Sequence, residues 1–355
     1  MDFFSKKTSE SDFTKNFTVD IKIPWVEKYR PKNSKEILLE PFIKQKIEKI
    51  LETKSIPNMI ITGEPGTGKT STILFLAKQI YGDKYSENVL ELNASDDRGL
   101  SIINNTIYPF CKKKTSCIND DNKNSKYPTH KLVILDEADS ITPKAQNLLS
   151  NIISEFRKNT RIVFICNDCT QIIESIQSRC MIIKYPRINS DNLYQKIEHI
   201  CKEESIEYTP TGINTLLFVS DQDIRQSINN LECIYYSFGK LEDITIYKLV
   251  DKPKPYYISQ ILTYCISNNY IETINIVKNL YNKGYTPNDI LLTFMKYLFE
   301  NNDEINKINL IEDTKLKIYE IISLSYIRVN GGIDTLLQLC GCISKIFLYL
   351  QNEKN

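Results

Sequence analysis

A parallel β-sheet covered by helices on both faces, followed by helices alone, is what this sequence predicts, and three observations carry the prediction. Between Trp25 and Tyr185, short apolar runs rich in β-branched residues alternate with stretches of helical periodicity. After Arg187 the runs of strand type cease and only helical periodicity continues. A glycine-rich turn, "GEPGTGKTS" (63–71), joins the first apolar run to the first long helical stretch. Strands that alternate with helices are joined by crossovers, which make the strands parallel and put helices on both faces.

The strands are expected at "NMIIT" (58–62), "VLELN" (89–93), "KLVILDEAD" (131–139), "RIVFICN" (161–167) and "MIIKY" (181–185). Each is a run of the length and composition of a buried strand. The segment "CKKKTSCINDDNKNSKYPTH" (111–130) breaks the pattern with Lys, Asn and Asp, and reads as a surface insertion over about 112–129. Residues 190–250 give short amphipathic helices. From about 255 onward "YISQILTYCI", "YIETINIVKNLY" and "IDTLLQLCGCISKIFLYL" continue in helical period. A chain of 355 residues is too long for one core. The expected division is a disordered leader over 1–20, an α/β domain over 21–187, a small helical lid over 188–252 and an all-α domain over 253–355.

Composition excludes several classes. Hydrophobic residues make up 41% and charged residues 25%, as in ordinary globular proteins, and the formal net charge is +1. No global basic field advertises nucleic acid, so any such contact must come from a local patch or from several chains together. No apolar run reaches membrane-spanning length, so no membrane partner is expected, and "MDFFSKKTSESDFTKNF" lacks the apolar core of a secretory signal. Ten cysteines without regular spacing suggest reduced thiols in the cytosol or nucleus. Cys166 and Cys169 form a C-x-x-C, but there is no second pair, and His130 and His199 are the only histidines. Buried thiols are therefore expected there rather than a metal site.

Chemistry concentrates around the glycine-rich turn. Its spacing, G-x-x-x-x-G-K-T between a strand and a helix, is that of a phosphate-binding loop. Gly63, Glu64, Pro65, Gly66, Thr67 and Gly68 are expected to wrap phosphate oxygens at a helix N-terminus, followed by Lys69, Thr70 and Ser71. Lys69 can reach the β- and γ-phosphates of ATP, and the Thr70 hydroxyl can ligate Mg2+. In "LVILDEAD" a buried strand delivers Asp136 to the metal side and Glu137 to the position of a general base. Asn167, ending the next strand, could orient water or the γ-phosphate, and Arg225 in "DQDIRQSINNLE" could bend onto the phosphates.

With these pieces placed, the chain resembles the small ATPase subunits of eukaryotic replication factor C, the AAA+ sliding-clamp loader. The resemblance is carried by "PWVEKYRP" (24–31), "GEPGTGKTS", "LELNASDDRG" (90–99), "ILDEADSIT" (134–142), "IIESIQSRC" (172–180) and "DIRQSINNLE" (223–232). "GYTPNDIL" (284–291) and "IRVNGGIDTLLQL" (327–339) extend it into the C-terminal helices, so that it spans about Pro24 to Phe347 without the insertion. "IIESIQSRC" and "MIITGEPGTGKTS" are most similar to the small subunit numbered two in animal complexes. The resemblance implies a nuclear, ATP- and Mg2+-dependent ATPase in a heteropentamer that loads the sliding clamp onto primer-template DNA for replication and repair. It implies that the C-terminal domain is a collar joining the other replication factor C subunits.

Residue by residue, the resemblance puts Val26 and Arg30 beside the adenine, makes Asn167 and Arg225 the two sensors, and makes Arg179 an arginine finger acting on a neighbour's ATP. Arg98, Ser140, Thr142 and the amides around Ile141 would follow the DNA backbone. Three positions depart from the family: Ser150 and Asn151 stand where it carries two arginines, and Gln222 where it carries a glycine. Two other readings remain open from the residues: another AAA+ machine, such as a branch-migration helicase or an unfoldase, and a scaffold subunit that does not hydrolyse.

Overall fold

A computed structural model describes residues 23–31, 38–95, 100–113, 128–299 and 311–352. The expected leader and nearly all of the insertion lie outside the described residues, as does Arg98. The chain divides into two compact units. One takes the described residues up to Lys196 together with Asp223–Glu232, and the other takes Ile197–Gln222 and Cys233 onward. The helix Ile224–Phe238 thus begins in the first unit.

All five expected strands form in the first unit: β1 (Met59–Gly63), β2 (Val89–Asn93), β3 (Lys131–Asp136), β4 (Thr160–Cys166) and β5 (Met181–Tyr185). They pair in parallel in the order β2-β3-β4-β1-β5, with Ile61 opposite both Ile165 and Ile183, and Asn93 opposite Asp136. Alternate residues feed the two faces. Met59, Ile61, Leu132, Ile134, Val163 and Ile165 pack against Ile73, Leu76 and Ile80 of the helix Lys69–Tyr81 and against Ile43, Ile47 and Ile50 of the helix Pro41–Thr53. Ile60, Val133, Leu135, Ile162 and Phe164 pack on the other side against Ile103, Ile107, Ala145, Leu149 and Ile152. A strand sandwiched in this way reads as an unbroken apolar run, which is why these strands could be placed from sequence. Because the strands are parallel, Gly63, Asp136 and Cys166 all lie at C-terminal strand ends on one edge of the sheet, where open α/β folds bind ligands.

The second unit is helical, with one small exception. Glu207–Tyr208 and Lys240–Leu241 form a two-residue parallel ladder that the sequence reading missed, because two residues carry no periodicity. The helices Pro255–Ile266, Tyr270–Asn282, Pro287–Phe299, Glu312–Asn330 and Leu336–Asn352 share one core built on Ile261, Leu262, Phe294, Ile318, Ile322 and Ile343. Asp221, at φ 55°, is held by ion pairs to Lys252 and Lys296. No described helix is long and apolar enough to cross a membrane.

His130 is buried at 4% exposure just before β3. Its Nε2 accepts a hydrogen bond from the Ile56 amide at 3.3 Å, and its carbonyl accepts one from the Tyr81 hydroxyl at 3.0 Å. Burial, with the Arg161 charge adding to it, pushes the imidazole down to about 4 from its ordinary 6.5. A depressed histidine pKa means that the unfolded chain binds the proton first. The stability is whole above about pH 6.5 and drains as pH falls toward 4, by about 2 kcal/mol between pH 7 and pH 5. His130→Gln should be less stable at pH 7 but should lose less on going to pH 5. Urea unfolding of both proteins at the two pH values checks this, and equal losses would refute it.

Candidate nucleotide site

The glycine-rich turn leaves β1 at Gly63 and enters the helix Lys69–Tyr81, with Gly68 at its N-cap. Gly68 has φ 85°, a left-handed conformation that side-chain-bearing residues adopt only at a cost, so the turn can swing the first helical amides toward one point. Lys69 is only 8% exposed. Its ammonium donates to the carbonyls of Gly63 and Glu64, both at 2.7 Å, and to Asn167 Oδ1 at 3.0 Å. All three ammonium donors are thereby used, and burial lowers its pKa from the usual lysine value.

Two acidic residues meet this loop from the end of β3. Asp136 Oδ2 accepts from the Thr70 hydroxyl at 2.9 Å, and its Oδ1 accepts from the Glu137 amide at 3.0 Å. Glu137 is exposed and sits at φ 53°, ψ 40°. Left-handed backbone at a glutamate costs about 1 kcal/mol or more, and here the Ser140 amide and hydroxyl, both bonded to its carbonyl, hold it. Asn167 follows β4 directly. Its amide donates to Asp139 Oδ2 at 3.1 Å, and its carbonyl accepts from the Thr62 hydroxyl at 3.0 Å. Asn167 is therefore tied to three neighbours, Lys69, Asp139 and Thr62.

These groups border a cleft of about 260 Å³ within the first unit, lined by Pro65 to Ser71, Asp136, Glu137 and Asn167 on the phosphate side. Val26, Tyr29, Arg30, Pro31, Leu38, Ile188, Lys196, Ile224, Arg225 and Ile228 line the rest. The glycine-rich side is polar, and the rest mixes apolar side chains with the cations Arg30, Lys196 and Arg225, a lining that suits an anionic tail and a flat ring. The donor set also suits Mg2+, a hard cation that takes oxygen ligands: the Thr70 hydroxyl and the Asp136 carboxylate already converge.

Most residues picked from sequence gather here, with some exceptions. Gly63 and Glu64 do not line the cleft; they hand their carbonyls to Lys69, and the Glu64 carboxylate turns to Arg187 at 2.5 Å. Arg179 is exposed and is not among the lining residues. Its guanidinium donates to the Ser175 carbonyl at 2.6 Å and to the Ser154 hydroxyl at 3.2 Å. Ser140 and the exposed Thr142 precede the helix Pro143–Glu155, with Thr142 at its N-cap. Ser150 is buried at 7% on that helix while Asn151 is exposed, so the two departures differ in setting. Gln222 sits at φ 59°, where a glycine would carry no strain.

Other residues of the site escaped the sequence reading. Ile188 and Lys196 carry no local signal, while Tyr29 and Ile228 lie within "PWVEKYRP" and "DIRQSINNLE" without having been singled out. Thr62 looked like an ordinary strand residue, and Asp139 lay in plain view within "DEAD" without an assigned role. Gln146, 1% exposed, donates to the carbonyls of Ile141 and Gln171 and accepts from the Ile173 amide, stapling its helix to the loop after Asn167. Cys166 is buried, its thiol pushed up to about 11 by desolvation, and it donates to the Ile61 carbonyl at 3.7 Å.

Comparison with known proteins identifies both domains by family. Residues 59–187 match the ATPase family associated with various cellular activities (AAA), and residues 253–345 match the Replication factor C C-terminal domain. The chain is 36% identical over 337 residues to the probable replication factor C subunit 2 of Dictyostelium discoideum, covering 95% of this chain and 96% of that protein. It is 34% identical to replication factor C subunit 4 of Saccharomyces cerevisiae, covering 93% and 97%, and 33% identical to replication factor C subunit 5 of Homo sapiens, covering 91% of each. Among solved structures, the RuvB Holliday junction branch migration motor of Thermotoga maritima superposes with a TM-score of 0.51 at 14% identity, over 67% of this chain and 79% of that one. That likeness speaks for the fold alone. An AAA α/β domain with a parallel sheet, a match to the replication factor C C-terminal domain, and replication factor C relatives at 33–36% identity over more than nine-tenths of the chain place this chain in the replication factor C family.

Proposed function

We infer that this chain is an ATP-binding and ATP-hydrolysing subunit of a nuclear clamp loader, and that it helps to open a sliding clamp and seat it on primer-template DNA. The observation that carries the reading is the meeting of Lys69, Thr70, Asp136, Glu137 and Asn167 in one cleft of a chain whose residues 253–345 match the replication factor C C-terminal domain. Intact Lys69 and Glu137 favour a hydrolysing subunit over a scaffold. The relatives carry the numbers 2, 4 and 5, and the motif similarity favours the subunit numbered two. We assign the lid to 188–252 and the collar that meets the other subunits to 253–355. Ser140, Thr142 and Arg98 are proposed to touch the DNA backbone.

The chemistry follows from the groups in place. The amides of Gly66 to Lys69 receive phosphate oxygens, and the Lys69 ammonium exchanges its carbonyl partners for the β- and γ-phosphates. Thr70 and Asp136 would hold Mg2+, which neutralises phosphate charge when bound. Asn167, released by Lys69, is free to orient a water, and Glu137 takes that water's proton as it attacks. Val26 and Arg30 flank the base, and Arg225 adds positive charge at the phosphates. Arg179 lies outside its own cleft and is proposed to serve a neighbouring subunit's ATP.

Glu137→Gln keeps the shape and removes the base. In the reconstituted complex this site should still bind ATP, while single-turnover hydrolysis falls at least about a hundredfold. Unchanged hydrolysis would remove Glu137 from the role.

Arg179→Ala should leave ATP binding at this chain's own loop intact and lower hydrolysis at the adjacent site by about a thousandfold or more. Lys69→Ala should do the reverse, emptying its own site first. Following hydrolysis site by site in the complex decides between them; a defect of Arg179→Ala confined to its own site would contradict action in trans.

A further inference from the structure

Gly66 is the middle glycine of the phosphate loop, at φ 74°, and what lies over it is a carboxylate from elsewhere in the chain. A Cβ built on Gly66 would stand 2.1 Å from Asp223 Oδ1, 2.3 Å from Asp223 Cγ and 2.6 Å from Asp223 Oδ2. The loop backbone therefore packs face-on against the Asp223 side chain, with no room for even a methyl group between them. The same Oδ1 accepts from the Arg225 amide at 2.7 Å and the Gln226 amide at 3.2 Å. Asp223 thus caps the helix Ile224–Phe238, and its carbonyl accepts from both the amide and the hydroxyl of Ser227. That helix puts Ile224, Arg225 and Ile228 into the cleft.

One side chain therefore has two tasks. Its cap bonds fix the first turn of the helix that carries Arg225, and its body rests on the loop that would carry the phosphates. We propose that Asp223 is a positioning residue that keys this helix to the phosphate loop and sets the pose of Arg225 toward the terminal phosphate. It rests on the nucleotide reading given above and does not require Asp223 to touch ATP. A cap alone would stabilise the helix whatever occupied the cleft. Keying predicts more: it ties the placement of Arg225 to the loop, so removing the contact with Gly66 costs discrimination between ATP and ADP.

The two roles separate with variants that fold. Asp223→Ser keeps an acceptor suited to the cap but withdraws the bulk from Gly66. Asp223→Asn keeps both shape and cap. Affinities of the full-length chain for ATP and for ADP with Mg2+, together with thermal unfolding, are to be measured for each. Asp223→Ser is expected to unfold near the parent temperature yet lower the ATP-to-ADP affinity ratio about fivefold, with Asp223→Asn close to the parent. Arg225→Ala should lower the same ratio, and adding Asp223→Ser to it should lower it no further. An unchanged ratio in Asp223→Ser, or losses that add in the double variant, overturns the positioning role. Absence of any ATP or ADP binding by the parent chain would overturn the nucleotide reading as well, so the two failures are distinguishable.

Discussion

Lys69 brings a positive charge into a place where 8% of its surface meets solvent, and the rest of the site is arranged around it. An unpaired ammonium so buried would be untenable, and this one is paid for by three short hydrogen bonds to the end of β1, the glycine-rich turn and the end of β4. Those bonds exist because β1 and β4 are adjacent parallel strands whose C-terminal ends lie together. The partners are neutral oxygens, so an anion that offers full negative charge competes for the ammonium favourably. The site is folded but poised.

Backbone strain reaches this site too, though it is not confined to it. Glu137 and Gln222 both hold left-handed backbone without being glycine, and they adjoin Asp136 and Asp223 in sequence. At Glu137 the strain has a visible return. The left-handed turn breaks β3 sharply, leaves the carboxylate exposed, and begins the short turn whose Asp139 takes the Asn167 amide. At Gln222 the left-handed conformation is one that a glycine would hold without strain.

The helix Pro143–Glu155 binds both to the loop after Asn167 and to Arg179. Near its start, the buried Gln146 binds the loop that follows Asn167; near its end, Ser154 accepts a hydrogen bond from Arg179. With Ser150 on its buried face, the helix lies close against the sheet, and an arginine at that position would have to displace core contacts. Asn151, next to it, is exposed.

The sequence by itself determined the parts whose physics is local or periodic. Buried parallel strands read as apolar runs, the phosphate loop needs its glycines and Lys-Thr at fixed spacing, and strand ends carry the acidic pair, so β1 to β5, Lys69, Thr70, Asp136, Glu137 and Asn167 were all legible. Only the tertiary structure decided the rest. The cleft wall away from the glycine-rich turn joins Tyr29, Ile188, Lys196 and Ile228 from segments far apart in the chain, and no spacing rule relates them. Glu64 turned away to Arg187, the two-residue ladder in the second unit left no pattern, and Asp223 revealed its place against Gly66 only once the chain had brought them together. Such contacts depend on where long crossovers return the chain, and that is settled by the packing of whole helices on the sheet rather than by any short stretch of residues.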